Sequence, residues 1–170
     1  MPKYRVDEID AEILRALQAD ARLTNLELAA RVGLSPTPCL RRVRQLQAEG
    51  LIEGFRAILD RRQTGLGLTT FLFVDIEQHS DEAVFGEFRR AVAEFPEVVA
   101  GHVIAGEHDY LIEVVCEDLE AYRNFFYEKL LRLPKVRNVQ SMFVIESFKI
   151  AAPLPLDHMA KPKSGRKAVS

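Results

Sequence analysis

The sequence has no tryptophan and only two cysteines, Cys39 and Cys116, in 170 residues. The cysteines lie far apart, without CxxC or Cys/His ligand spacing, which argues against a disulfide framework or a zinc centre and leaves two small thiols for the interior. Long apolar runs are also missing, and nothing approaches the roughly 20 residues needed to cross a bilayer. No apolar stretch follows Lys3 and Arg5, so no secretory leader is read and a cytoplasmic protein without membrane contact is expected. Catalytic signatures are scarce. His79, His102, His108 and His158 share no ligand spacing, no GxSxG or phosphate loop occurs, and Glu107 with Asp109 reads as a turn rather than an acid/base pair. Neither an enzyme nor a metal cofactor is expected.

Net charge is nearly absent too, at −2, but its distribution is uneven. Residues 31–62 carry seven arginines against three acids, or +4; residues 63–150 carry eight cations against fifteen acids, or −7; residues 151–170 carry four cations against one acid, or +3. One part of the chain suits phosphate and another repels it.

What is present is periodicity. Asp7 or Asp10 can cap a first helix bearing Ile9, Ile13, Leu14 and Leu17 at helical spacing. Thr24 with Glu27 forms a capping-box pattern for a second, short helix that stops at Val32-Gly33-Leu34, where glycine permits a tight turn. Ser35-Pro36 starts a third helix at once, and Gly50 ends it. In this helix Leu40, Val43 and Leu46 are expected inward, with Arg41, Arg44, Gln45 and Ala48 on an outer stripe and Arg42 beside it. Leu51, Ile52 and Phe55 to Leu59 predict a strand, followed by a hinge from Asp60 to Gly67.

From Leu68 the order strand, helix, strand occurs twice: 68–78, 81–95 and 98–105, then 110–117, 119–133 and 136–148. Phe95-Pro96-Glu97-Val98 and Leu133-Pro134-Lys135-Val136 end the two helices alike, as in a weak internal repeat. The βαββαβ order predicts a ferredoxin-like sandwich with both helices on one face of an antiparallel sheet. Yet Phe71-Leu72-Phe73-Val74 and Met142-Phe143-Val144-Ile145 are apolar on consecutive positions, so the second face also needs cover. A second copy of the chain is the simplest cover, and an unrelated partner the alternative. The tail from Ala151, with Pro153, Pro155, Pro162, Ser164 and Gly165, reads as flexible and basic through Lys161, Lys163, Arg166 and Lys167. The expected division is therefore 1–53 helix-turn-helix, 54–67 linker strand and hinge, 68–150 sensing and oligomerisation, and 151–170 tail.

In a helix-turn-helix the second helix of the motif enters the major groove and its early residues meet base edges. Here the candidates for duplex DNA are Thr24, Asn25, Ser35, Thr37, Pro38, Cys39, Arg41, Arg42, Arg44 and Gln45. Arginine can bond two acceptors on guanine, while hydroxyls and cap amides suit phosphate. A solvated basic face on another three-helix module is the plainer reading of the same pattern. On local chemistry alone Gly106-Glu107-His108-Asp109-Tyr110 is likewise an ordinary hairpin turn.

The stretch LELAARVGLSPTPCLRRVRQ (26–45), with the following LQAEGLIEGF, resembles the helix-turn-helix of the leucine-responsive and asparagine regulator (Lrp/AsnC) family, and its SPTPCL element is most like the leucine-responsive branch. The second half is similar through AGEHDYLIEV (105–114), LLRLPKV (130–136) and the strand around 141–148. The resemblance spans about Asp7 to Leu156. It implies an α+β protein with an amino-terminal, winged-helix-like helix-turn-helix domain and a carboxy-terminal ferredoxin-like effector domain. It also implies dimers through that second domain, and octamers or other larger assemblies. In the family a Gly-x-x-Asp turn forms part of an amino-acid pocket where dimers meet, which carries over to Gly106 and Asp109; Ser141 matches a hydroxyl-bearing position. His102, Ile104, Ala105, Tyr110, Met142 and Phe143 complete the expected effector set. The hinge departs from the family, with Arg61 after Asp60 where Pro is common.

The function so implied is a sequence-specific transcription regulator whose assembly and DNA binding respond to an amino acid. An architectural DNA-binding protein with little effector control, and an amino-acid-sensing protein-interaction module, are the alternatives. Steep salt dependence with weak sequence preference marks the architectural case.

Overall fold

The chain divides into two compact units, one formed by residues up to Ile58 together with those from Lys149, the other by Leu59–Phe148. The computed structural model describes residues 6–77 and 82–159.

The first unit holds helices α1 (Glu8–Ala19), α2 (Asn25–Arg31) and α3 (Pro36–Ala48). Asp7 caps α1: its carboxylate accepts the Asp10 N–H at 2.8 Å, and the Asp10 carboxylate accepts the Asp7 N–H at 3.2 Å. The Thr24–Glu27 pair does the same for α2. Gly33, at φ 68°, makes the turn into α3 in a conformation that costs a Cβ-bearing residue about 1–2 kcal/mol. Ile13, Leu14, Leu28, Ala29, Cys39 and Leu46 close the core.

Three expectations for this unit change. Leu40 is 38% exposed, and Cys39 is fully buried in its stead. The stripe that meets α1 and α2 is Cys39, Val43 and Leu46, spaced i, i+4 and i+7, and Leu40 lies one residue around the helix from it. The strand expected over Leu51, Ile52 and Phe55 to Leu59 does not form, because no ladder partner lies alongside these residues among the described ones. The tail is not wholly free: Gln18 exchanges two hydrogen bonds with the Leu154 backbone, Arg15 pairs with Asp157, and Leu156 joins the core. The four tail cations lie outside the described residues.

The second unit comprises β1 (Leu68–Ile76), α4 (Glu82–Ala93), β2 (Val98–Val103), β3 (Tyr110–Cys116), α5 (Leu119–Glu128), a 3-10 turn (Leu130–Arg132) and β4 (Val136–Phe143). The strands pair antiparallel in the order β2-β3-β1-β4, as a βαββαβ sandwich requires. Leu72, Val74 and Ile76 of β1 and Ile112 and Val114 of β3 point to the helical side, against Phe88, Val92, Tyr122, Phe125 and Leu130. The last strand ends at Phe143 rather than 148, and the second helix at Glu128, where the chain tightens into the 3-10 turn. The expected start of the first helix at Asp81 lies outside the described residues, as does His79.

Asp60 shapes the hinge. Its carboxylate accepts the Arg62 and Gln63 N–H groups, which closes a local turn. Arg61 then reaches Glu113 at 2.7 Å on the sheet face away from the helices.

Candidate nucleic-acid interface and ligand groove

The two sets of candidate residues lie in different units. On α3 the exposed stripe is Arg41, Arg44, Gln45 and Ala48, with Thr37 and Ser35 exposed at its start. Pro36 and Pro38 carry no N–H, and the Cys39 N–H is bonded to Ser35 O, so the tip of α3 offers anions little besides the Thr37 amide. Ser35 makes no side-chain cap bond.

Three expected DNA contacts face the domain itself. Cys39 is in the core, where burial pushes its thiol pKa up and keeps it protonated. The Arg42 guanidinium bonds both Asp7 and Asp10 at 2.8 Å, and Asp10 is almost fully buried. Burial raises the Asp7 carboxyl pKa, but the Asp10 amide and Arg42 more than offset that and hold it below the usual range. Arg42 is thus a clamp between α3 and the start of α1. Asn25 donates to Pro36 O at 2.8 Å and joins α2 to α3. These roles were hidden in the sequence because the acidic partners lie far from Arg42 along the chain.

In the second unit the effector set separates into two places. Gly106, at φ 151°, and Glu107 lie exposed in the β2–β3 connection, and Ile104 and Ala105 lead into it. Asp109 is a brace: its carboxylate accepts the Ile76 N–H at 2.9 Å and its own N–H donates to Val74 O. Tyr110 is core, 3% exposed, with its hydroxyl donating to Phe85 O and its ring beside Phe88. Next to the turn, His108 Nδ1 lies 3.0 Å from Asp75, which also accepts from Asn138. Burial raises the Asp75 pKa, yet Asn138 and His108 outweigh it and leave the carboxyl below its ordinary value. His102 lines a shallow groove of about 330 Å³ between α4 and β2.

Ser141 and Phe143 lie on the other edge strand. They share a groove of about 760 Å³ with Leu119, Tyr122, Phe126 and Tyr127 of α5, and none of the turn residues lines it. Met142 points to the opposite sheet face, paired with Phe71. The Tyr122 and Ser141 hydroxyls are bonded at 2.5 Å on the groove floor. Glu120 and Arg123, one turn apart on α5, complete its walls. Sequence reasoning missed the α5 wall, although Phe126-Tyr127 offered a signal: one face of a helix cannot bury both rings of a consecutive pair.

Comparison with known proteins adds to this geometry. Residues 69–154 match the family model described as the Lrp/AsnC ligand binding domain, and residues 6–53 match one described as winged helix-turn-helix DNA-binding. The leucine-responsive regulatory protein of Escherichia coli strain K12 is 40% identical over 148 residues, covering 87% of this chain and 90% of that protein. A transcriptional regulator of Neisseria meningitidis, solved as its complex with L-Met, superposes with a TM-score of 0.85 at 38% identity, covering 91% of this chain and 99% of that one. An AsnC family transcriptional regulator of Agrobacterium tumefaciens gives a TM-score of 0.84 at the same identity and coverage.

Proposed function

This chain belongs to the Lrp/AsnC family of DNA-binding transcription regulators, and from that premise we propose that it reads duplex DNA with the exposed stripe of α3 and responds to an amino acid held at the α5–β4 groove. Residues 1–53 form the reader, 54–67 the connection and 68–150 the sensor. Arg41, Arg44 and Gln45 meet base edges or phosphates, while Ser35, Thr37, Pro38 and Thr24 approach the backbone. Arg42, Cys39 and Asn25 position the helix from inside the domain.

The observation that carries the sensing half is the groove. It joins apolar walls to two hydroxyls and a pair of opposite charges, the mixture that suits a small amphiphile. The Neisseria relative was solved with L-Met, and amino-acid binding is the reading we extend to this chain.

Assembly is the second element of the proposal. The sheet face away from the helices carries Phe71, Phe73 and Leu111, all partly exposed, and Met142 at 47%. Ile145 and Phe148 are each 96% exposed. A second copy covers such surface with its own equivalent, giving a two-fold dimer. Further copies bring the Gly106–Asp109 turn of one chain to the groove of another and so reunite the two halves of the effector set. An effector bound there favours whichever assembly closes the groove, and reciprocally changes how the readers are spaced on DNA.

The test is an operator selected from random duplexes, with footprinting and sedimentation run with and without each amino acid. A change in assembly or footprint with at least one amino acid is expected. Constant assembly and footprint with all of them defeats the sensing role, and weak sequence preference with a steep salt slope favours an architectural protein.

A further inference from the structure

Resting on the reading of the α5–β4 groove as the effector site, we infer that its ligand class is the aromatic α-amino acids, held at the head group by Glu120 and Arg123. The Asp109 carboxylate, the obvious counter-ion for an ammonium group, already accepts the Ile76 N–H. Glu120 and Arg123 line the groove itself and are exposed. They sit three residues apart on α5, so their side chains rise from one helix face with opposite charges. Neither is tied up elsewhere, since no ion pair or hydrogen bond among the described residues engages either side chain. An amino-acid zwitterion fits this pair: the carboxylate meets the guanidinium fork and the ammonium meets Glu120.

The side-chain end of the groove is built of rings. Tyr122 stands edge-on to Phe143 at 5.2 Å, Phe126 edge-on to Tyr127 at 5.2 Å, and Tyr122 lies 5.9 Å from Phe126. Tyr127 and Phe143 remain 60% and 45% exposed, so this ring cluster is unfinished on its open side. Rings prefer offset or edge-to-face neighbours, and such pairs gain attraction beyond the area they bury. A ligand ring completes the cluster, whereas an aliphatic side chain gains area alone. The groove has ample volume for either, so chemistry rather than size discriminates.

Calorimetric titration of the full chain with L-Phe, L-Leu, L-Met, L-Asn and phenethylamine, which lacks the carboxylate, tests this directly. L-Phe is expected to bind about tenfold tighter than L-Leu, through one or two ring contacts. Arg123→Gln is expected to weaken L-Phe about thirtyfold and to leave phenethylamine nearly unchanged. Glu120→Gln should weaken both. If L-Leu or L-Met binds as tightly as L-Phe while Arg123→Gln still weakens it, the aromatic class is overturned and the groove stands. If amino acids bind and neither α5 variant alters them, the groove assignment falls as well, and if none binds, both fall.

Discussion

The helix-turn-helix unit satisfies its buried charge and closes its core within one chain, whereas the sheet unit leaves an apolar face and a ring-lined edge groove open. In the first, Asp10 is covered by Arg42 and the caps of α1 and α2 are reciprocal. In the second, alternate residues of β1 and β3 are packed by α4 and α5, while Phe71, Phe73, Leu111 and Glu113 between them stay partly exposed. A reader can be complete as a fold and incomplete as a binder, since one +4 segment makes few phosphate contacts. The second unit is the reverse, a fold whose core is packed while its far sheet face and edge groove stay open.

Substitution at Arg42 gives the largest effect on the closed side of this contrast. Arg42→Ala leaves the Asp10 carboxylate buried without its cation, which should cost about 3 kcal/mol of the first unit's stability in urea unfolding. Preserved stability in that variant would break the picture of an internally closed reader. On the open side, Phe73→Glu puts a charge on the uncovered sheet face of every copy. Sedimentation should show dimer dissociation rise about fiftyfold or more with the circular dichroism of the monomer retained. An unchanged dimer would mean that another surface joins the copies.

Arg41→Ala separates reading from folding at the neighbouring position. Operator affinity should fall about tenfold by fluorescence anisotropy, with stability within about 0.5 kcal/mol of the parent. The smallest effect is in pH. The folded Asp75 carboxyl titrates below its ordinary 3.8, so the unfolded chain takes up that proton first. Its stabilisation is complete above 3.8 and fades as pH falls through the depressed folded value. Urea midpoints of the parent and Asp75→Asn should therefore converge in acid; a constant gap would assign Asp75 no linked proton.

Local signals along the chain carried most of the fold. The Thr24–Glu27 box, Gly33 and Pro36 each act within a few residues, which is why they were legible. The misreadings arose where one residue serves two distant elements. Cys39 and Leu40 are both plausible inward positions on a helix drawn alone, and only the angle at which α1 and α2 meet α3 selects Cys39. The strand expected over Leu51, Ile52 and Phe55 to Leu59 failed for a different reason: its pattern is apolar, but a strand exists only with a partner.

By itself, then, the sequence determined the three helices of the first unit, the βαββαβ order of the second and the exposed cationic stripe of α3, because caps, turns and hydrophobic periods are short-range. The tertiary structure decided that Arg42 clamps while Arg41 and Arg44 stay exposed, since Arg42 and Asp10 are brought together only by the crossing of α3 and α1. It likewise engaged Asp109 with the backbone of β1 and set α5 beside β4 to form the groove, pairings between residues far apart in the chain rather than within any local run.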